Sequence, residues 1–105
     1  MTTIHLVYIT TGDKAEARQI GMALVESKLV ACVNIIDHMN SIYCWEGKIQ
    51  EDQEAILIAK TTANNVPALK EKVKEMHSYE CPCIVCLPVT DGYDPYLEWV
   101  REQVK

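Results

Sequence analysis

The chain has 105 residues, room for one small domain with one core, so a second independently folded unit is not expected. Hydrophobic residues make up 49% and charged residues 24%, the balance of a folded domain and not of a disordered segment. Fifteen acidic against ten basic side chains leave a formal charge of -5, which repels phosphate backbones and anionic lipid and excludes nucleic acid and membrane surface as natural partners. No apolar run approaches the roughly 20 residues of a membrane span, and no basic start precedes an apolar stretch, so a cytoplasmic location is expected. Five cysteines, an odd number, fit reduced thiols better than a disulfide framework.

Thr3 to Thr10 is β-branched and apolar on both alternating faces, as an interior strand is when it is covered on both sides or sits at a subunit contact. Asp13 followed by Glu16 reads as a capping box, and Ala17, Ile20, Gly21, Leu24 and Val25 then recur at helical spacing, predicting a helix from Asp13 to Lys28. Leu29 to Asp37 is a second strand. Ser41 to Trp45 and Lys48 to Thr61 flank Glu46-Gly47 as a hairpin, although Glu is less suited than Asn or Asp to the positive φ of the first turn position. A strand from Lys48 to Thr61 would be about 46 Å long, while a chain of this size has a radius of gyration of only about 13 Å. The hairpin must bend or overhang, and an overhanging two-stranded ribbon invites pairing with another copy.

Val66, Leu69, Val73 and Met76 mark a second helix with Asn64 as its N-cap, and Cys83 to Thr90 a last strand whose Pro88 indicates an edge or an end. Asp94-Pro95 opens a short final helix as N-cap and N1, carrying Leu97, Val100 and Val104. The order βαββαβ plus a helix predicts an α+β, ferredoxin-like sandwich with both crossover helices on one face of an antiparallel sheet, all in a single domain over 1–105.

Chemistry concentrates in His77-Ser78-Tyr79-Glu80-Cys81-Pro82-Cys83, followed by Cys86. Imidazole, carboxylate and thiolate are metal ligands, and thiolate with imidazole selects Cu(I) or Zn over Mg or Ca. Cys81 and Cys83 would share one face of an extended strand and Cys86 the other, where it packs as core. Cys83 with His77 could form a nucleophile and its base, but no oxyanion loop or orienting third residue can be picked out, and no enzymatic activity is expected. Tyr43 and Trp45 share one face of the ribbon, as an interface anchor or a pocket wall. The acidic stretch around the hairpin tip reads as a solvated or subunit-pairing face.

Five motifs in order, Leu29-Val30-Ala31-Cys32-Val33-Asn34, Tyr43-x-Trp45-x-Gly47-Lys48, Glu54-x-x-Leu57-x-x-Lys60-Thr61, His77-x-Tyr79-Glu80-x-Pro82 and Tyr96-Leu97-x-Trp99, resemble those of the CutA family of divalent-cation tolerance proteins across essentially the whole chain. The resemblance implies a ferredoxin-like homotrimer, similar in shape to PII signalling proteins, with strands pairing between subunits and a link to metal tolerance, copper above all. It carries over Tyr43, Trp45, Lys60, His77, Tyr79, Glu80 and Trp99. Family members usually read His-Pro-Tyr-Glu-x-Pro-Glu; here Ser78 replaces Pro and Cys83 the last Glu, which softens the site toward Cu(I).

The expectation is therefore a cytosolic homotrimer that binds copper at or near its subunit interfaces through His77, Cys83, Glu80 and Cys81. Tyr43, Trp45, Lys60, Tyr79 and Trp99 would line the cleft or interface, and no cofactor is obligatory. The alternative is a PII-like signalling or scaffold module that takes a small anion or a protein in its inter-subunit clefts.

Overall fold

A computed structural model describes residues 2–105. In chain order the elements are β1 (Ile4–Thr11), α1 (Lys14–Glu26), β2 (Cys32–Trp45), β3 (Lys48–Thr62), α2 (Val66–Met76), β4 (Ile84–Pro88) and α3 (Asp94–Gln103), with a 3-10 turn over Ala63–Asn65. The strands form one antiparallel sheet in the order β2-β3-β1-β4, so both helical crossovers skip a strand and β4 lies at an edge, as Pro88 at its end requires. The architecture is α+β.

One face of the sheet makes the core. Val7 and Ile9 of β1 and Ala55, Leu57 and Ala59 of β3 pack against Ala17, Ile20 and Leu24 of α1 and Leu69 and Val73 of α2, all of them buried. The helical spacing of the apolar residues puts them on one stripe, and the strand alternation puts its partners on one face. Gly21 sits where α1 comes closest to the sheet: a Cβ there would lie 2.9 Å from Val33 Cγ2.

Five local readings are corrected. The Asp13 carboxylate caps α1 by accepting the Glu16 N–H at 2.8 Å, but Glu16 returns its bond to Gly12, one residue ahead of the cap. Leu29 and Val30 do not begin a strand. They follow a helix-ending turn in which Lys28 adopts φ 59 while Leu29 N–H reaches Leu24 O and Lys28 N–H reaches Val25 O, and their side chains are buried there. The strand starts at Cys32 and runs unbroken to Trp45, where two strands were expected. At the other helices, Asn65 and not Asn64 holds the cap position of α2, without a side-chain bond, and Asp94 lies inside the first turn of α3 behind Tyr93.

The ribbon overhangs. β1 covers β3 only from Ala55 to Thr62, so Lys48 to Glu54 pair with β2 alone, and the molecule is 44 Å long against 25 and 22 Å across. At its tip Glu46 and Gly47 take φ 50 and 78, the mirror-image turn that matches strand twist. The sheet face opposite α1 and α2 carries Leu6, Tyr8, Ile56 and Ile58, with Ile36, Val85 and Leu87 each about half exposed. α1 and α2 cover one side of the sheet, and α3 reaches the other only at its Cys32 and Lys60 end, leaving the rest as an apolar surface.

Candidate functional site

A bulge in β2 builds the site. Between the pairs Ile36↔Ile56 and Met39↔Glu54, β2 carries two residues, Asp37 and His38, opposite Ala55 alone. His38 takes φ 59 and its N–H is held by Asp37 Oδ1 at 2.8 Å. The additional residue shifts the side-chain phase by one. Even-numbered residues of β2 face the side opposite α1 and α2 before the bulge and odd-numbered ones after it, so Met39, Ser41, Tyr43 and Trp45 join Tyr8 and Thr10 on that side. Together with Glu54 and the segment after α2 they enclose a cleft of about 720 Å³.

Three side-chain bonds fasten that segment to distant parts of the chain, besides the bond from the Thr10 N–H to Cys83 O at 3.4 Å. His77 caps the end of α2 and its side chain is fully buried. Its Nδ1 accepts the Tyr79 N–H at 3.0 Å, which leaves Nε2 as the proton-bearing nitrogen, donating to Thr10 O at 2.7 Å. Glu16 Oε2 accepts the Ser78 N–H at 2.7 Å while its Oε1 accepts the Gly12 N–H at 2.9 Å. Burial raises the Glu16 carboxyl, but the hydrogen bonds from Gly12 and Ser78 outweigh it and hold the group below the usual carboxylate value. Tyr79 lays its ring 4.7 Å from the His77 ring and donates its hydroxyl to Glu54 Oε2 at 2.7 Å, tying the segment to the ribbon. Burial and this bond to a carboxylate push the Tyr79 phenol well above its ordinary value. Further out, Tyr43 donates to Asp52 and is raised by that bond.

The expected site residues divide accordingly. Tyr43, Trp45, Tyr79, Glu80, Cys81 and Cys83 all line the cleft. His77 stands behind it with both ring nitrogens engaged by its own chain, which leaves no free lone pair for a metal in this arrangement. Cys86 packs against the core. Lys60 and Trp99 belong to a separate cluster at α3: Lys60 Nζ donates to Asn34 Oδ1 at 2.9 Å and lies 5.6 Å over the Tyr96 ring, which stacks on Trp99 at 5.7 Å. Among the described residues no three His, Cys, Asp or Glu side chains converge as a metal set, and all five cysteines are free. Sequence reasoning missed Tyr8, Thr10, Met39 and Glu54 as cleft residues and Glu16 as the clamp. No change in the parity of apolar positions marks the bulge, since Val33 and Ile35 before it and Met39 and Tyr43 after it are all odd-numbered.

Residues 5–103 match the family model described as CutA1 divalent ion tolerance protein. The chain is 50% identical over 98 residues to the divalent-cation tolerance protein CutA of Thermus thermophilus, covering 93% of this chain and 95% of that one. The solved Thermus thermophilus structure superposes with a TM-score of 0.95 at 47% identity, covering 97% and 99% of the two chains. A structure named the periplasmic divalent cation tolerance protein CutA of Archaeoglobus fulgidus gives a TM-score of 0.94 at 39% identity, covering 97% and 99%. Human protein CutA is 42% identical over 100 residues, 95% of this chain, which spans 56% of that longer relative.

Proposed function

The chain belongs to the CutA1 divalent ion tolerance protein family, and from that premise we propose that it is a cytosolic copper-tolerance protein, a homotrimer that binds metal in the cleft where one subunit meets the next. The observation that carries this reading is that the cleft lies on the uncovered apolar side of a ribbon that outruns its own domain. A second copy laid there would bury half-exposed Ile36, Val85 and Leu87, occupy an open strand edge and close the cleft. Three-fold assembly is the closed arrangement that the family resemblance implies, and closure removes free edges.

Glu80, Cys81 and Cys83 offer donors in this account, in a cleft that a neighbouring subunit would close over. His77 acts as a positioning residue that fixes the segment bearing them. Exposed Cys44 and Cys81 favour a reducing compartment, and among the described residues no helix is long and apolar enough to cross a membrane. No reaction is assigned: the base that Cys83 would need is His77, whose ring nitrogens are both committed. The anion-binding alternative is less well supported, because Lys60 is engaged at α3 and the cleft carries Glu54 and Glu80.

Anaerobic copper titration of the reduced protein, with the intact assembly weighed at each step, tests the proposal. Copper bound in a fixed ratio to subunits of a trimer supports it. A monomer that binds copper equally well removes the interface from the account.

A further inference from the structure

Three sulfur-bearing residues from two separate elements line the cleft: Cys81 and Cys83 on the segment before β4, and Met39 on β2 immediately after the bulge. Resting on the reading of this cleft as the metal site, we propose that its ion is monovalent copper, held by the thiolates of Cys81 and Cys83 and the thioether of Met39.

The donor count separates the candidates. A structural or transport site for Zn(II) takes four N, O or S ligands in a tetrahedron, whereas no three His, Cys, Asp or Glu side chains converge among the described residues. Cu(I) is a soft ion that favours thiolate and thioether and is satisfied by two or three of them. Cys81 is exposed and Cys83 half-buried, so an ion can reach both. Met39 Sδ accepts only the Tyr8 hydroxyl at 3.5 Å, a weak contact that leaves a sulfur lone pair for a metal. Without the Asp37-His38 bulge, Met39 would point to the opposite side of the ribbon, so the irregularity in β2 is what delivers the third ligand. Binding moves no electrons: two S–H bonds give their protons to solvent as two S–Cu bonds form, and copper stays in the monovalent state. Affinity therefore falls as pH drops.

The test is an anaerobic competition titration of the intact reduced assembly with Cu(I), run beside Zn(II) and beside Ag(I) as a redox-inert probe of the same softness. It compares the parent with Cys81→Ser/Cys83→Ser and with Met39→Leu, each checked for unchanged assembly mass and circular dichroism. The expected result is release of two protons per Cu(I), tight Cu(I) and Ag(I) binding and weak Zn(II) binding. The double variant should lose Cu(I) affinity by about 100-fold or more and Met39→Leu by about 10-fold, at least the effect that changes around a metal ligand already produce. Unchanged Cu(I) affinity in the double variant overturns the proposal. Tight Zn(II) binding that survives the double variant also overturns it while leaving the cleft a metal site, and failure of all three ions to bind defeats both the proposal and the reading beneath it.

Discussion

Glu16, at the start of α1, accepts the backbone N–H of Ser78, 62 positions later, at 2.7 Å. With its second bond to Gly12 it joins the turn after β1 to the segment that carries Glu80, Cys81 and Cys83. Its carboxyl is held below the ordinary 4.5, so the clamp adds stability that is fully present above that value and is lost as pH falls through the lowered one. Glu16→Ala should cost about 1 kcal/mol near neutral pH, the scale of losing hydrogen bonds to a carboxylate. Denaturant melts of parent and variant should differ at pH 7 and converge once acid protonates the carboxyl; a gap that persists there would assign the loss to the helix and not to the charge.

Tyr79 makes the opposite pH signature. Its phenol is raised above 10.0 by burial and by the bond to Glu54, so the neutral form favours the fold, fully below that value, and the benefit disappears as pH rises through the raised one. Spectrophotometric titration should show the most alkaline tyrosine step vanish in Tyr79→Phe. If the step remains, another phenol owns it and the ribbon is not tied down here.

The hairpin tip is strained by its own sequence. Glu46 takes φ 50, a region that favours Asn over Glu, ahead of Gly47 at φ 78. Glu46→Asn should raise stability by about 0.5 to 1 kcal/mol, a few degrees in thermal midpoint. No gain would mean that contacts between copies, and not the turn, hold the tip.

A chain lacking His38 leaves Asp37 alone opposite Ala55 and keeps Met39 paired with Glu54, so Met39, Ser41, Tyr43 and Trp45 stay on the cleft side of the ribbon. The core of β1, α1 and α2 does not involve these residues, so circular dichroism should be retained. Cu(I) affinity should therefore stay close to that of the parent, unlike in Met39→Leu. A deletion variant that loses Cu(I) binding would show that the backbone shape of the bulge, and not the register alone, builds the cleft.

Most of the architecture was legible because its signals are local. The 3.6-residue stripe of Ala17, Ile20 and Leu24, the alternation in β1 and the Glu46-Gly47 turn each report their element directly. The bulge escaped because it uses no glycine: Asp37 and His38 read as the end of one strand, with the next starting at Ser41. The cleft was half legible. Cys81, Cys83, Tyr43 and Trp45 stood out by type, whereas the contacts of Glu16 with Ser78 and of Tyr79 with Glu54 span 62 and 25 positions and leave no trace in local pattern. The imidazole chemistry of His77 suggested a ligand, but the buried Thr10 carbonyl and the Tyr79 N–H take both nitrogens.

Mass measurement of the reduced protein under native conditions at low micromolar concentration, with and without stoichiometric Cu(I), bears most directly on the central claim. The account predicts a species of three 11.9 kDa subunits that gains copper in proportion to its cleft count and loses that gain in Cys81→Ser/Cys83→Ser. A folded monomer, or a trimer whose copper uptake is indifferent to both thiols, would contradict it.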